Sequence, residues 1–137
     1  MLFNIPNVQL PGHGLPVALV KNMYPLLTVG RSVHSFEEAK QAEIDGADYV
    51  VYGHCFETNC KRGKPANGLT LLEEMVKKLC IPVYGIGGIT PERVGLMQKA
   101  GAAGVAMMSG IFSSIAPADT ARHLFEKVRR VSDENKF

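Results

Sequence analysis

No stretch of this 137-residue sequence approaches the ~20 consecutive apolar residues that a membrane-spanning helix needs. The N-terminus, MLFNIPNVQL, lacks the charged region and cleavage site of a secretory signal. Positive charge is sparse: the formal net charge is +2, and no basic stripe interleaves with aromatics, which argues against a nucleic-acid partner. The one cationic cluster, Lys61, Arg62 and Lys64, is too small for a polyanion groove but sufficient for a small anion. Cysteine is scarce too. Cys55, Cys60 and Cys80 match no zinc-ligand spacing and imply no disulfide framework, so a reducing, cytoplasmic location is expected. No low-complexity linker divides the chain. With 46% hydrophobic and 20% charged residues, positions 1–137 read as a single soluble domain with a sizeable core.

What is present is a strand-helix alternation, repeated five times. Val8-Gln9-Leu10 is a short first strand, followed by a helix over LPVALVKNMY. LLTVGRSVH is the second strand. Ser35 with Glu38 then forms a capping box that opens the helix FEEAKQAEID, and Gly46 closes it. ADYVVYGH is the third strand and LTLLEEMVKKL the next helix. IPVYGIGG is the fourth strand, after which Thr90 is expected to cap the helix PERVGLMQKA. AGVAMMSG and the helix PADTARHLFEKVRRVSDEN complete the set. Near-continuous apolar strands alternating with helices predict a parallel α/β sheet. Two architectures fit: an open doubly wound sheet, or part of a (β/α)8 barrel, a whole one of which takes ~250 residues.

The polar and glycine-rich clusters SVHS, GHCFETNCK, GIGGITPE and MMSGIF all follow the C-terminal ends of strands, where both architectures place their ligands. Gly87 and Gly88 expose backbone N–H groups ahead of the Pro91 helix, and Ser109-Gly110 offers a similar turn one strand later. As an adjacent pair these turns point to phosphate binding; singly, each serves equally as a tight strand-to-helix connection. His54 ends the third strand, and its imidazole is suited either to proton transfer near neutral pH or to marking a turn. His34, with Ser32 on the same face by period-two alternation, reads as a structural or positioning residue. Alternation also groups Val50, Tyr52 and His54 on one face, expected to be the lumen of a barrel. Thr58 and Lys61 could hold an anion from the following loop. Carboxylates at metal-ligand spacing are lacking around either histidine, so no metal is expected. His13 and His123 read as surface residues, Cys55 and Cys60 lack a base partner, and Met107 and Met108 read as core.

The segments GRSVHSFEEA, ADYVVYGHCFETNCKRG, PVYGIGGITPERV and AGVAMMSGIF resemble, in order and spacing, the thiazole tautomerases, the TenI-type branch of the thiamin phosphate synthase superfamily. In the synthase branch a proline stands where this chain has His54. The resemblance implies a (β/α)8 fold of which this chain carries the equivalents of strands four to eight. It implies aromatisation of a dearomatised carboxythiazole phosphate in thiamin biosynthesis, without a cofactor. His54 matches the acid/base histidine of that family, Gly87, Gly88, Met108 and Ser109 match its phosphate-binding turns, and Thr58 and Lys61 match ligand contacts of the synthase loop. Three strand-helix units of the family have no counterpart here; in the synthase branch they supply pyrimidine-diphosphate and metal ligands. The expectation is an isomerase that self-associates or is completed by another chain, with a phosphate-binding regulator or an inactive remnant as the rival readings.

Overall fold

The computed structural model describes residues 5–56 and 68–134. Five parallel strands, β1 (Asn7–Leu10), β2 (Thr28–Val33), β3 (Tyr49–Gly53), β4 (Val83–Ile86) and β5 (Gly104–Ala106), form one sheet in sequential order. Between them run α1 (Val17–Met23), α2 (Phe36–Ile44), α3 (Gly68–Lys78) and α4 (Val94–Lys99), the last entered through a 3-10 turn at Pro91–Arg93. A one-turn helix α5 (Ser109–Phe112), absent from the sequence-based expectation, precedes the long α6 (Pro117–Glu134). The strand order decides between the two architectures. A doubly wound sheet reverses direction at a switch point; this sheet never reverses, as in a barrel wall, and the fold is an open arc of a (β/α)8 barrel.

Side-chain parity sets which face each residue serves. Val33 pairs in register with Tyr52, and Val50 with Val83, and all four are buried beneath the helices. The opposite row runs Ser32, Val51, Tyr84, Gly104, and it borders an uncovered trough of about 500 Å³. This corrects the expected face assignment: Val50 and Tyr52 belong to the helix-side core, and the lumen side of β3 is Tyr49 and Val51. The alternation that placed them with His54 does not extend to it, because β3 ends at Gly53. On the open face the Tyr49 and Tyr84 rings meet edge to face at 5.4 Å.

The helix-side core explains the helices' sequences. In α3, Leu72 and Met75 are fully buried, and Leu79 continues their stripe at helical spacing. Burying side chains of this size contributes about 1.5–3 kcal/mol each. From α2 only Ala39 and Ala42 are buried, and such small side chains let that helix lie close to the sheet. Its N-terminus is held by the predicted capping box, with a variation. Ser35 Oγ accepts from the Glu38 N–H at 3.1 Å, but the Glu38 carboxylate accepts from the His34 N–H at 2.7 Å. Thr90 makes no cap to the turn that follows it, contrary to expectation; its hydroxyl is engaged by the Glu92 carboxylate instead. Asp48, just before β3, ties α1 to β2, pairing with Lys21 Nζ at 2.8 Å and accepting from Val29 N–H at 2.7 Å. Burial pushes its carboxyl upward, but these two hydrogen bonds and the Lys21 charge outweigh that and hold it below its ordinary value.

Candidate active site at the C-terminal ends of the strands

The carboxyl end of β4 is built from glycine. Gly87 and Gly88 have φ of +101° and +61°, backbone that residues with a Cβ rarely adopt. The carbonyls around this turn are committed to neighbours. Ile86 O accepts from Cys55 N–H at 3.0 Å and Gly87 O from Phe56 N–H at 3.1 Å, stitching the segment after β3 onto β4. Gly88 O accepts from Arg93 Nη1 at 2.7 Å, and the same guanidinium lies 4.8 Å from the Phe56 ring centre. A cleft of about 360 Å³ results, lined by Gly87, Gly88, Met108, Ser109, Gly110 and Arg93. All five turn residues singled out from the sequence thus converge on one cavity. Arg93 was missed: its place in the first turn after Pro91 reads as an ordinary surface position, and only the fold shows it reaching back to Gly88. The elements behind the turns are short, the 3-10 turn and the single turn of α5, so helix dipoles add little here.

His54 sits at the margin of this cleft. A Cβ built on Gly87 would lie 3.1 Å from His54 Cα and 3.4 Å from its Nδ1, so only a residue without a side chain leaves His54 its place beside the turn. On the other side, the His34 and His54 rings stand 6.0 Å apart with a tilt of 41°. Both histidines are solvent-exposed. His34 Nδ1 is 3.6 Å from Glu38 Oε2, an ion-pair distance beyond hydrogen-bond range. Its Cε1 faces the backbone of Gly12, in a loop that Arg31 latches by donating to Gly12 O and Leu15 O. Ser32 lies lower on the open face, where its hydroxyl accepts from Gln9 Nε2 at 2.9 Å. Thr58, Lys61 and Cys60 lie outside the described residues. His13 and His123 are exposed.

Cys55 is no nucleophile. It is 1% exposed, and burial pushes its thiol up to about 11, against which the hydrogen bond with Ile86 works only in part. Met107 packs against the core, whereas Met108 is 69% exposed at the cleft rim, which corrects its reading as a core residue. Among the described residues no three His, Cys, Asp or Glu side chains converge. No helix among them is long and apolar enough to cross a membrane.

An exposed imidazole pair beside a glycine-walled cleft can hold a small anionic group and move protons next to it. Proteins similar to this chain are found on comparison. Thiamine-phosphate synthase from Pyrococcus abyssi is 35% identical over 131 residues, covering 96% of this chain and 61% of that protein. The synthase of Bacillus velezensis is 41% identical over 106 residues, covering 76% of this chain and 47% of the relative. The chain thus spans about half to three-fifths of the length of these relatives. Among solved structures, the thiamine phosphate pyrophosphorylase of Pyrococcus furiosus superposes with a TM-score of 0.81 at 33% identity, covering 92% of this chain and 60% of that one. A 3-hexulose-6-phosphate synthase at 23% identity and a TM-score of 0.67 shares the fold alone. The family profile described as thiamine monophosphate synthase matches residues 1–111, and by that match this chain belongs to the thiamine monophosphate synthase family.

Proposed function

We propose that within this family the chain acts as an isomerase, converting a dearomatised carboxythiazole phosphate into its aromatic tautomer. The observation that carries the reading is the close approach of His54 to the Gly87 turn, which puts an acid/base group beside a cleft that can take an anion. In this reading the phosphate rests on the backbone of Gly87-Gly88 and Ser109-Gly110, with Met108 at the rim and the Arg93 charge behind. The substrate ring then lies over the His54–His34 pair, with Ser32, Thr58 and Lys61 as further contacts. The chemistry is a proton relocation. The C–H bond at ring carbon two breaks, and its electron pair becomes the carbon-two–nitrogen double bond. The ring double bond shifts by one position, and the exocyclic double bond takes up a proton at its outer carbon. Aromatisation supplies the driving force, and no electron acceptor is needed.

The synthase named in the relatives is the second reading, favoured by those names and by identities of 35–41%. The two differ at His54, which the tautomerisation uses and the coupling of a pyrimidine diphosphate does not. A third, purely ligand-binding role would keep the cleft and dispense with His54. Ultraviolet absorbance follows the growth of the aromatic thiazole directly. Wild-type conversion is expected, with His54→Asn slowed by roughly 10²–10⁴ while binding of the aromatic product persists. A His54→Asn protein with near-normal turnover would sink the isomerase assignment.

A further inference from the structure

The cleft beyond β4 and β5 is lined by backbone turns, by apolar and hydroxyl side chains and, among the described residues, by a single ionisable side chain, Arg93. We propose that Arg93 is a specificity-determining residue. Its guanidinium ligates the phosphate group directly, so that the cleft takes a phosphorylated ligand and refuses the free alcohol, and through Phe56 the bound phosphate steadies the segment that carries His54. This deepens the proposed function and rests on its placing of the phosphate in that cleft.

Charge is the first argument. A phosphate monoester brings about −1.5 to −2 charge at neutral pH. The glycine turns meet it with N–H groups but no formal charge, and the short elements behind them add little dipole. Compensation therefore falls to Arg93. Among the described residues no carboxylate stands within ion-pair distance of it. The adjacent acid, Glu92, is engaged elsewhere: its carboxylate takes the Thr90 hydroxyl and lies near His123 and Lys127 of α6. Geometry is the second argument, and it suits a guanidinium rather than an ammonium. Nη1 donates to Gly88 O at 2.7 Å, and Cζ stands over the Phe56 ring, 4.8 Å from its centre. The donors of a guanidinium lie in its plane, so a ring on its face leaves its edge to an anion. Phe56 is the link to the histidine. Its N–H is bonded to Gly87 O at 3.1 Å and that of Cys55 to Ile86 O at 3.0 Å, and His54 directly precedes them. A phosphate that fixes Arg93 thereby fixes the ring, and with it the short segment on which His54 stands.

The test measures binding by calorimetry and amide hydrogen exchange by NMR, neither of which needs turnover. The ligands are the aromatic carboxythiazole phosphate, its dephosphorylated alcohol and inorganic phosphate. Wild type is expected to prefer the phosphate ester. Arg93→Gln should lose roughly 10–100-fold of that affinity, the scale of one hydrogen bond to a charged group, with alcohol binding and the circular dichroism spectrum unchanged. Inorganic phosphate should slow exchange of the Cys55 and Phe56 amides in wild type and leave it unaltered in Arg93→Gln. Arg93→Lys, the milder change should Arg93→Gln unfold, is expected to keep affinity for the ester within a few-fold through its charge and to lose the amide protection. Wild-type affinity for the ester in Arg93→Gln, an equal loss for ester and alcohol, or wild-type amide protection in Arg93→Lys would overturn the assignment and leave the isomerase reading standing. Arg93-dependent binding in a wild-type protein that converts no substrate would sink that reading alone. A wild-type protein that binds ester and alcohol equally would overturn both.

Discussion

Replacing Gly87 by alanine perturbs the fold and the site by a single methyl group. At φ of +101° a side chain strains the backbone, at a cost of about 1–2 kcal/mol. The added Cβ would lie 3.1 Å from His54 Cα and 3.3 Å from its Cβ, tighter than ordinary van der Waals contact. His54 cannot simply recede, because the next two N–H groups, of Cys55 and Phe56, are bonded to Ile86 O and Gly87 O. The strain therefore falls on the stitch between β3 and β4, and the total loss comes to about 1–3 kcal/mol, roughly 3–12 °C in Tm. Displacing His54 by a few tenths of an ångström should also slow turnover by roughly 10-fold or more. Gly95→Ala is the matched control, since nothing lies within 4 Å of the Cβ it would add in α4. It should stabilise the chain by about 0.5–1 kcal/mol and leave turnover alone. Urea denaturation and the absorbance assay read both effects. A Gly87→Ala protein as stable and as active as Gly95→Ala would refute the contact as a determinant of the site.

Alkaline pH probes the core beneath the site. Because burial raises the Cys55 thiol from 9.0 to about 11, the unfolded chain releases that proton first, so stability is fully present below pH 9 and falls as pH rises toward 11. The loss is about 2–3 kcal/mol and should be flattened in Cys55→Ala; an unchanged slope in that variant would place the effect elsewhere. The open sheet face, carrying Tyr49, Val51, Tyr84 and Ile86, is expected to drive self-association. Light scattering should show a mass that rises with concentration and falls in Val51→Asp, whereas a dilute wild-type monomer with cooperative unfolding would contradict it.

The order of elements was legible in the sequence because each strand ends at a glycine or polar cluster and each helix carries its own signals. Ser35–Glu38 and Gly46, with φ of +92°, are clear cases. The cleft was legible for a similar reason, since paired turns after consecutive parallel strands must be neighbours in space. Arg93 was not, because its reach to Gly88 O depends on how the 3-10 turn at Pro91 aims the chain. Nor was the parity of β3. A run such as YVVYG is apolar on both sides, so alternation offers two equal registers, and only the covering helices select Val50 and Tyr52. Glu38 was legible as a cap but not as a neighbour of His34, since a capping box normally spends its carboxylate on the N-cap amide.

The tyrosine pair on the open face makes the molecule its own optical reporter. The sequence has no tryptophan and only four tyrosines, so near-ultraviolet emission comes from phenol rings without a stronger emitter to mask it. Tyr52 is sealed in the core, but Tyr49 and Tyr84 meet edge to face on the floor of the uncovered trough. Anything that roofs the trough, whether a second copy, another chain or a ligand reaching down from the histidines, takes the remaining exposed edges of those two half-buried rings out of water. Occupancy of the arc's concave side can therefore be watched in the unlabelled protein, through tyrosine emission and its accessibility to a soluble quencher.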